Sequence, residues 1–152
     1  MDEGHQSTPG GINQLIGTWK LVSAIMEDVE TNERKFAWGA RPNGVIVLTS
    51  TGRWVAVQTA EGRRPPHTDE ERAAAFRSML AYSGYYRTEG GQIIIKVDIA
   101  WDESWIGTEQ VRNFRIEGDK LHIEAAPQSY ANFGGRAMRG ILVWQREGFA
   151  SK

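Results

Sequence analysis

Between Leu15 and Arg146 the apolar residues of this 152-residue chain fall in short stretches that alternate with a period of two, most of them cut off by a turn containing glycine. A period of two is the signature of a strand with two distinct faces, and short spacing between strands favours antiparallel neighbours. Leu15, Gly17, Trp19, Leu21, Ser23 and Ile25 alternate with Ile16, Thr18, Lys20, Val22, Ala24 and Met26. Strands over 45–49 and 54–59 flank Ser50-Thr51-Gly52-Arg53, and strands over 85–88 and 92–101 flank Glu89-Gly90-Gly91. Strands over 108–116 and 121–126 flank Glu117-Gly118-Asp119-Lys120, and a last strand runs from Arg136 to Arg146. With a short strand at Phe36-Ala37-Trp38 the order is a meander. A meander of this length disposes of its two edges most simply by closing, so the expected fold is all-β, a closed antiparallel up-and-down β-barrel of eight to ten strands.

One segment breaks the pattern. Gly62-Arg63-Arg64-Pro65-Pro66 admits no regular structure, and Thr68 with Glu71 three residues on forms a capping box. Asp69 and Glu70 suit the positive end of a helix dipole, and Gly84 supplies a stop. The spacing predicts one α-helix near residues 68–83, with Phe76 and Leu80 on its apolar face. Residues 1–11 are nearly devoid of apolar side chains and are expected to form a flexible tail ahead of one domain over 12–148.

Composition removes several function classes. The chain has no cysteine, hence no disulfide, thiolate catalysis or thiolate-held metal. Eighteen Lys+Arg against nineteen Asp+Glu give a net charge of -1 without any block of like sign, which argues against nucleic acid and membrane surfaces as partners. No apolar run approaches the length of a membrane span, and the start Met1-Asp2-Glu3-Gly4-His5 lacks the features of a leader, so a cytoplasmic location is expected. His5, His67 and His122 are scattered, no metal-ligand spacing exists and the glycines form no phosphate-binding pattern, so no cofactor is expected.

Leu15-Ile16-Gly17-Thr18-Trp19 resembles the Gly-x-Trp opening of the lipocalin and calycin barrels. In those barrels the Trp plugs one end and an Arg from the last strand packs across it; Val143-Trp144-Gln145-Arg146 would supply that Arg. The segment from Ala75-Phe76 through Leu80-Ala81-Tyr82-Ser83-Gly84 to Trp105-Ile106-Gly107-Thr108-Glu109-Gln110-Val111-Arg112 resembles the bacterial and fungal lipocalin-like domain family. The resemblance covers roughly Leu15 to Arg146 and implies a barrel fold. It leaves function open, because the wider superfamily includes carriers, haem binders and enzymes of small-molecule biosynthesis. Family members tend to carry His and Glu in alternation where this chain has Lys96 and Asp98.

The turn at 117–120 pairs Ile116 with Leu121, Phe114 with Ile123 and Arg112 with Ala125, and places Gln110 and Arg112 on the interior face. A looser extrapolation across 102–107 brings Asp98 near Arg112, as a carboxylate that would satisfy a buried guanidinium. The competing reading sends Ile93, Ile95, Val97, Ile99 and Trp101 inward and leaves Lys96 and Asp98 in water. Tyr82, Tyr85 and Tyr86 fall at the junction of helix and strand. Trp54, Trp101 and Trp105 are candidate aromatic walls, while Trp19 and Trp144 read as barrel closure. Two functions follow. One is a binding protein for a small hydrophobic or aromatic metabolite, with Arg112 and Asp98 as the polar anchor and Trp54, Tyr82, Lys96, Trp101, Trp105, Gln110 and Phe114 as further contacts. The other is a cofactor-independent isomerase, cyclase or lyase with Asp98 as base and Arg112 or Tyr86 stabilising an oxyanion. A third reading is a dimerising module with a filled core, for which Val22, Ala24 and Met26 would be a partner surface.

Overall fold

A computed structural model describes residues 12–148. A single turn of helix, α1 (Ile12–Leu15), leads into β1 (Gly17–Asp28), followed by β2 (Arg34–Lys35), β3 (Asn43–Leu48) and β4 (Arg53–Thr59). Then come α2 (Asp69–Arg77), β5 (Met79–Glu89), β6 (Gln92–Ala100), β7 (Glu109–Glu117), β8 (Lys120–Ala125), β9 (Gln128–Ser129) and β10 (Ala137–Arg146). Every pairing is antiparallel, and β1 bonds to β10 as well as to β3, which closes the sheet. Eight strands form the closed barrel, and the two-residue strands β2 and β9 are side additions to β1 and β10.

Up-and-down order makes the connections alternate between the two ends. The tight turns at 49–52, 90–91 and 118–119 gather at one end, and the long connections 29–42, 60–78, 101–108 and 126–136 gather at the other. Trp19 seals the tight-turn end. It is fully buried, its indole N–H donates to the Leu15 carbonyl at 3.0 Å, and the Arg146 guanidinium lies 4.1 Å from its ring centroid. Arg146 also donates to the carbonyls of Ile16 and Gln14, so the plug fixes the chain entry as well as the sheet.

The β7–β8 hairpin has the expected register, with Ile116 opposite Leu121, Phe114 opposite Ile123 and Arg112 opposite Ala125. Gly118 at φ +62 supplies the left-handed turn position that this tight connection requires.

Two bulges change which residues face inward. Between Leu21 and Ser23 the register of β1 against β10 shifts, so Val22 stays outside while Ala24 and Met26 turn into the core. Ala24 and Met26 are therefore not a partner surface. In β6, Ser83 faces Ile99 but Gly84 faces Val97, which makes Asp98 an extra residue and leaves both Asp98 and Ile99 outside. Ile93, Ile95 and Val97 pack inward as the apolar-face reading expects, whereas Ile99 is 66% exposed.

The helix is shorter than the spacing predicts. Thr68 caps it, its hydroxyl accepting from the Glu71 N–H at 3.0 Å, but α2 ends at Arg77 and residues from Met79 onward are strand. None of its residues is buried, and Leu80 belongs to the barrel wall. Likewise 36–38 is not a strand: pairing there is confined to Arg34–Lys35, and Trp38 is buried from the connection beyond it. The expected tail over 1–11 lies outside the described residues.

Candidate functional site

At the centre of the barrel, toward the long-connection end, a cavity of about 50 Å³ remains. Its wall is contributed by seven of the eight barrel strands and two connections: Met26, Ile46, Trp54, Ala56, Gln58, Leu80, Tyr82, Arg112, Ile123, Ala125, Leu142 and Trp144, together with Trp38 and Tyr130. The alternation of each strand places these side chains. Leu80 and Tyr82 are inward on β5, Arg112 and Phe114 on β7, and Ile123 and Ala125 on β8.

Arg112 is 6% exposed, and among the described residues no carboxylate lines the cavity with it. Its guanidinium donates to the Tyr82 hydroxyl at 3.0 Å and to the Val111 carbonyl at 3.2 Å, and its charge lies 5.8 Å from the Tyr82 ring centroid. Because Tyr82 accepts this bond, its own O–H proton remains to donate. Tyr130 sits on the same wall, and burial pushes its phenol above the ordinary range even though the Arg112 charge pulls the other way. Trp38, Trp54 and Trp144 each bury an indole N–H that has no acceptor among the described residues. Trp19, by contrast, has its indole satisfied. Gln58, 6% exposed on β4, makes no side-chain hydrogen bond among the described residues. Orphaned buried donors cost about 1–3 kcal/mol each, and this cavity collects several.

Aromatic rings connect the cavity to the outside. Tyr82 stacks near Trp54 (6.1 Å between centroids) and Trp105 (5.1 Å), and Trp105 meets Trp101 (5.0 Å) and Tyr130 (6.0 Å). Trp101 meets Phe76 of α2 (6.0 Å), which is itself 40% exposed. Trp105 ends a 3₁₀ turn, Glu103–Trp105, in the 101–108 connection, and Trp101 precedes it.

The structure separates residues that sequence spacing had grouped. Asp98 does not meet Arg112. Its carboxylate is outside, accepting from Arg53 at 2.7 Å and Ser83 at 2.9 Å, and the Arg53 hydrogen bond holds it below the ordinary carboxylate range. Arg112 instead lies opposite Ile93, because β6 continues past its pairing with β7 and the 97–108 connection is wider than a mirror-image hairpin. Lys96 is on the outer face opposite Tyr85 and Glu109, away from the interior. Tyr86 is inward but toward the tight-turn end, its hydroxyl donating to the Thr49 carbonyl at 2.9 Å. Gln110 and Phe114 are buried, and Gln110 is held by Thr108 and Gln128; neither reaches the cavity wall. Of the candidates from sequence, Trp54, Tyr82 and Arg112 come together at the cavity.

Trp38, Gln58, Tyr130 and Trp144 were missed as wall residues. The sequence places Trp144 beside Arg146 and suggests closure, yet inward alternation on β10 brings it to the cavity. His67 is exposed in an outer groove with Arg63, Arg64 and Pro65, and His122 lies 3.3 Å from Glu117 on the outside. Among the described residues no cluster of metal-ligating side chains occurs, and no helix is long and apolar enough to cross a membrane.

Comparison with known proteins agrees with this architecture. The chain is 34% identical over 87 residues to a protein of Aspergillus oryzae named 4'-hydroxy-3'-methoxypropiophenone carrier protein; the match spans 52% of this chain and 77% of that protein. A family model described as lipocalin-like domain matches residues 16–147, which is the barrel from the Trp19 plug to the end of β10. The chain belongs to the lipocalin-like domain family.

Proposed function

We propose that the barrel interior binds a small hydrophobic or aromatic molecule, with Arg112 and Tyr82 as its polar anchor and Trp38, Trp54 and Trp144 as its walls. The observation that carries this reading is the unmatched guanidinium of Arg112 among orphaned indole donors. A core whose only task is packing gains nothing from a buried cation and unpaired N–H groups, each of which costs stability. The similar carrier protein supports the same class of ligand, since the compound in its name is a flat aromatic ring bearing a carbonyl acceptor.

The free volume of about 50 Å³ holds a water or two, well under the 300 Å³ or so of small-molecule sites, so the wall must yield on binding. The segment best able to move is α2 with its aromatic neighbours, because none of its residues is buried and only Phe76 among them stacks on the mouth. The enzymatic alternative loses its base. Among the described residues the cavity wall contains no Asp, Glu or His, and Asp98 is on the outer surface.

Titration with 4'-hydroxy-3'-methoxypropiophenone, followed by quenching of tryptophan fluorescence, tests the reading. Saturable quenching is expected in the wild type and in Asp98→Asn, and its loss in Ala125→Leu, which fills the cavity from β8. Equal affinity in a folded Ala125→Leu variant would place binding elsewhere, for instance in the open apolar groove outside β4–β6 at Val55, Val57 and Ile99.

A further inference from the structure

We infer that the interior selects its ligand as an anion, an apolar or aromatic body carrying one ionised oxygen, carboxylate or phenolate, that sits against Arg112 and Tyr82. The inference rests on the interior-binding reading and adds the charge state of what is bound.

The polar inventory of the cavity is one-sided. Arg112 uses two of its N–H groups, on Tyr82 and Val111, and a guanidinium has five. Tyr82 has its O–H left to give, and Trp38, Trp54 and Trp144 can only donate. Acceptors are few: the Gln58 carbonyl oxygen and the Tyr130 phenol oxygen. Among the described residues the titratable groups facing the cavity are Arg112, Tyr82 and Tyr130, with neither an Asp, a Glu nor a His to balance the cation. Tyr130 is not a counter-ion, since its burial favours the neutral phenol. The nearby interior amide, Gln110, is neutral and already engaged by Thr108 and Gln128.

A neutral ketone would satisfy one or two of these donors and leave the charge unmatched. An ionised oxygen accepts from Arg112 and Tyr82 together, and a charge-assisted pair of that kind is roughly twice as strong as a neutral one. Desolvation works against a buried anion, but the site has already desolvated the cation, so the anion meets a field that is fixed in place. The apolar remainder of the wall, with Ile46, Leu80 and Ile123, limits the charge to one end of the molecule.

Three small probes separate the possibilities: 4-hydroxyacetophenone, whose para-acyl group makes its phenol acidic and whose absorption shifts to the red on ionisation; 4-methoxyacetophenone, its neutral ether; and 4-methoxybenzoate. Binding is read by tryptophan quenching and the charge state by the absorption of the bound phenol as pH is varied. The expected result is a bound phenol that ionises one to three pH units lower than the free one. The ether is expected to bind at least tenfold more weakly than the phenol. Tight benzoate binding alongside a weak, un-ionised phenol assigns the oxygen to a carboxylate, and the red-shifted phenol assigns it to a phenolate. Arg112→Lys should retain the shift and Arg112→Met should abolish it. Phenol and ether binding equally, with the phenol un-ionised and benzoate no tighter, would overturn the anion inference while leaving interior binding intact. If none of the three quenches the wild type, the interior-binding reading falls and the inference falls with it.

Discussion

Replacing Arg112 by Met and Tyr82 by Phe together should make the protein more stable. The two hydrogen bonds lost are Arg112 to Tyr82 at 3.0 Å and Arg112 to the Val111 carbonyl at 3.2 Å, each worth about 1.5–3 kcal/mol at most for a charged donor. Removing both partners leaves neither hydroxyl nor guanidinium orphaned, and the Val111 carbonyl keeps the Ala126 N–H at 3.2 Å. Against this loss stands the release of a cation that is 6% exposed and has no carboxylate on the cavity wall, a desolvation penalty of several kcal/mol. Met is similar in length and apolar, so the packing volume is nearly kept. The net expectation is a gain of about 1–3 kcal/mol, or about 2–12 °C in Tm for a domain of this size. Urea unfolding followed by tryptophan fluorescence measures it as a higher midpoint at unchanged slope. A loss of 1 kcal/mol or more in the double variant would refute the reasoning and make Arg112 a brace of the barrel. A gain in stability with loss of probe binding is the pattern of a group retained for its ligand at the expense of the fold.

Two further outcomes test the frame around the site. A Cβ at Gly84 would lie 2.1 Å from the Lys96 carbonyl oxygen, against rigid backbone beside the β6 bulge, so Gly84→Ala should cost about 3 kcal/mol or more; Gly90→Ala, in open space at φ +59, should cost only about 1 kcal/mol, with thermal unfolding as the measure. Glu27 is held below the ordinary range by hydrogen bonds from Arg34 and Arg139, and Asp28 by Arg136 and the Thr31 N–H, so their contribution is complete above about pH 4.5 and is lost as pH falls through the lowered folded values. Tm measured from pH 7 to 3 should fall at the acid end, less steeply in Arg136→Gln and Arg139→Gln.

What was readable in advance divides by the range of the interaction. The 117–120 hairpin came out in register because its turn is tight and local, and the Trp19–Arg146 plug because its residues form a short motif at each chain end. The helix was over-extended for an identifiable reason. Phe76, Leu80 and Ser83 have helical spacing, but Leu80, Tyr82, Gly84 and Tyr86 also alternate, and closure of the barrel rewards the second pattern by burying all four on β5. The Asp98–Arg112 pairing failed because it required a register carried across a wide connection, and a single extra residue in β6 turns Asp98 outward.

The site itself is non-local in a stricter sense. Trp38, Trp54, Arg112, Tyr130 and Trp144 come from the β2–β3 connection, β4, β7, the β9–β10 connection and β10, and nothing in their spacing marks them as neighbours. Closure alone brings them together, and burial gives the indoles unequal fates: Trp19 finds the Leu15 carbonyl, while the three cavity indoles find no acceptor among the described residues. Volume does not support a binding interior over a filled core, since about 50 Å³ admits a small molecule only once the wall yields. Polarity is what favours the proposed interior site. A filled core would be expected to have replaced Arg112 and its unpaired neighbours with apolar side chains of the same size, as natural cores rarely keep several unsatisfied donors in one place. That a cation and donors without acceptors among the described residues persist around one cavity, inside a wall otherwise apolar, is the physical argument behind the proposal that the interior receives an acceptor from outside.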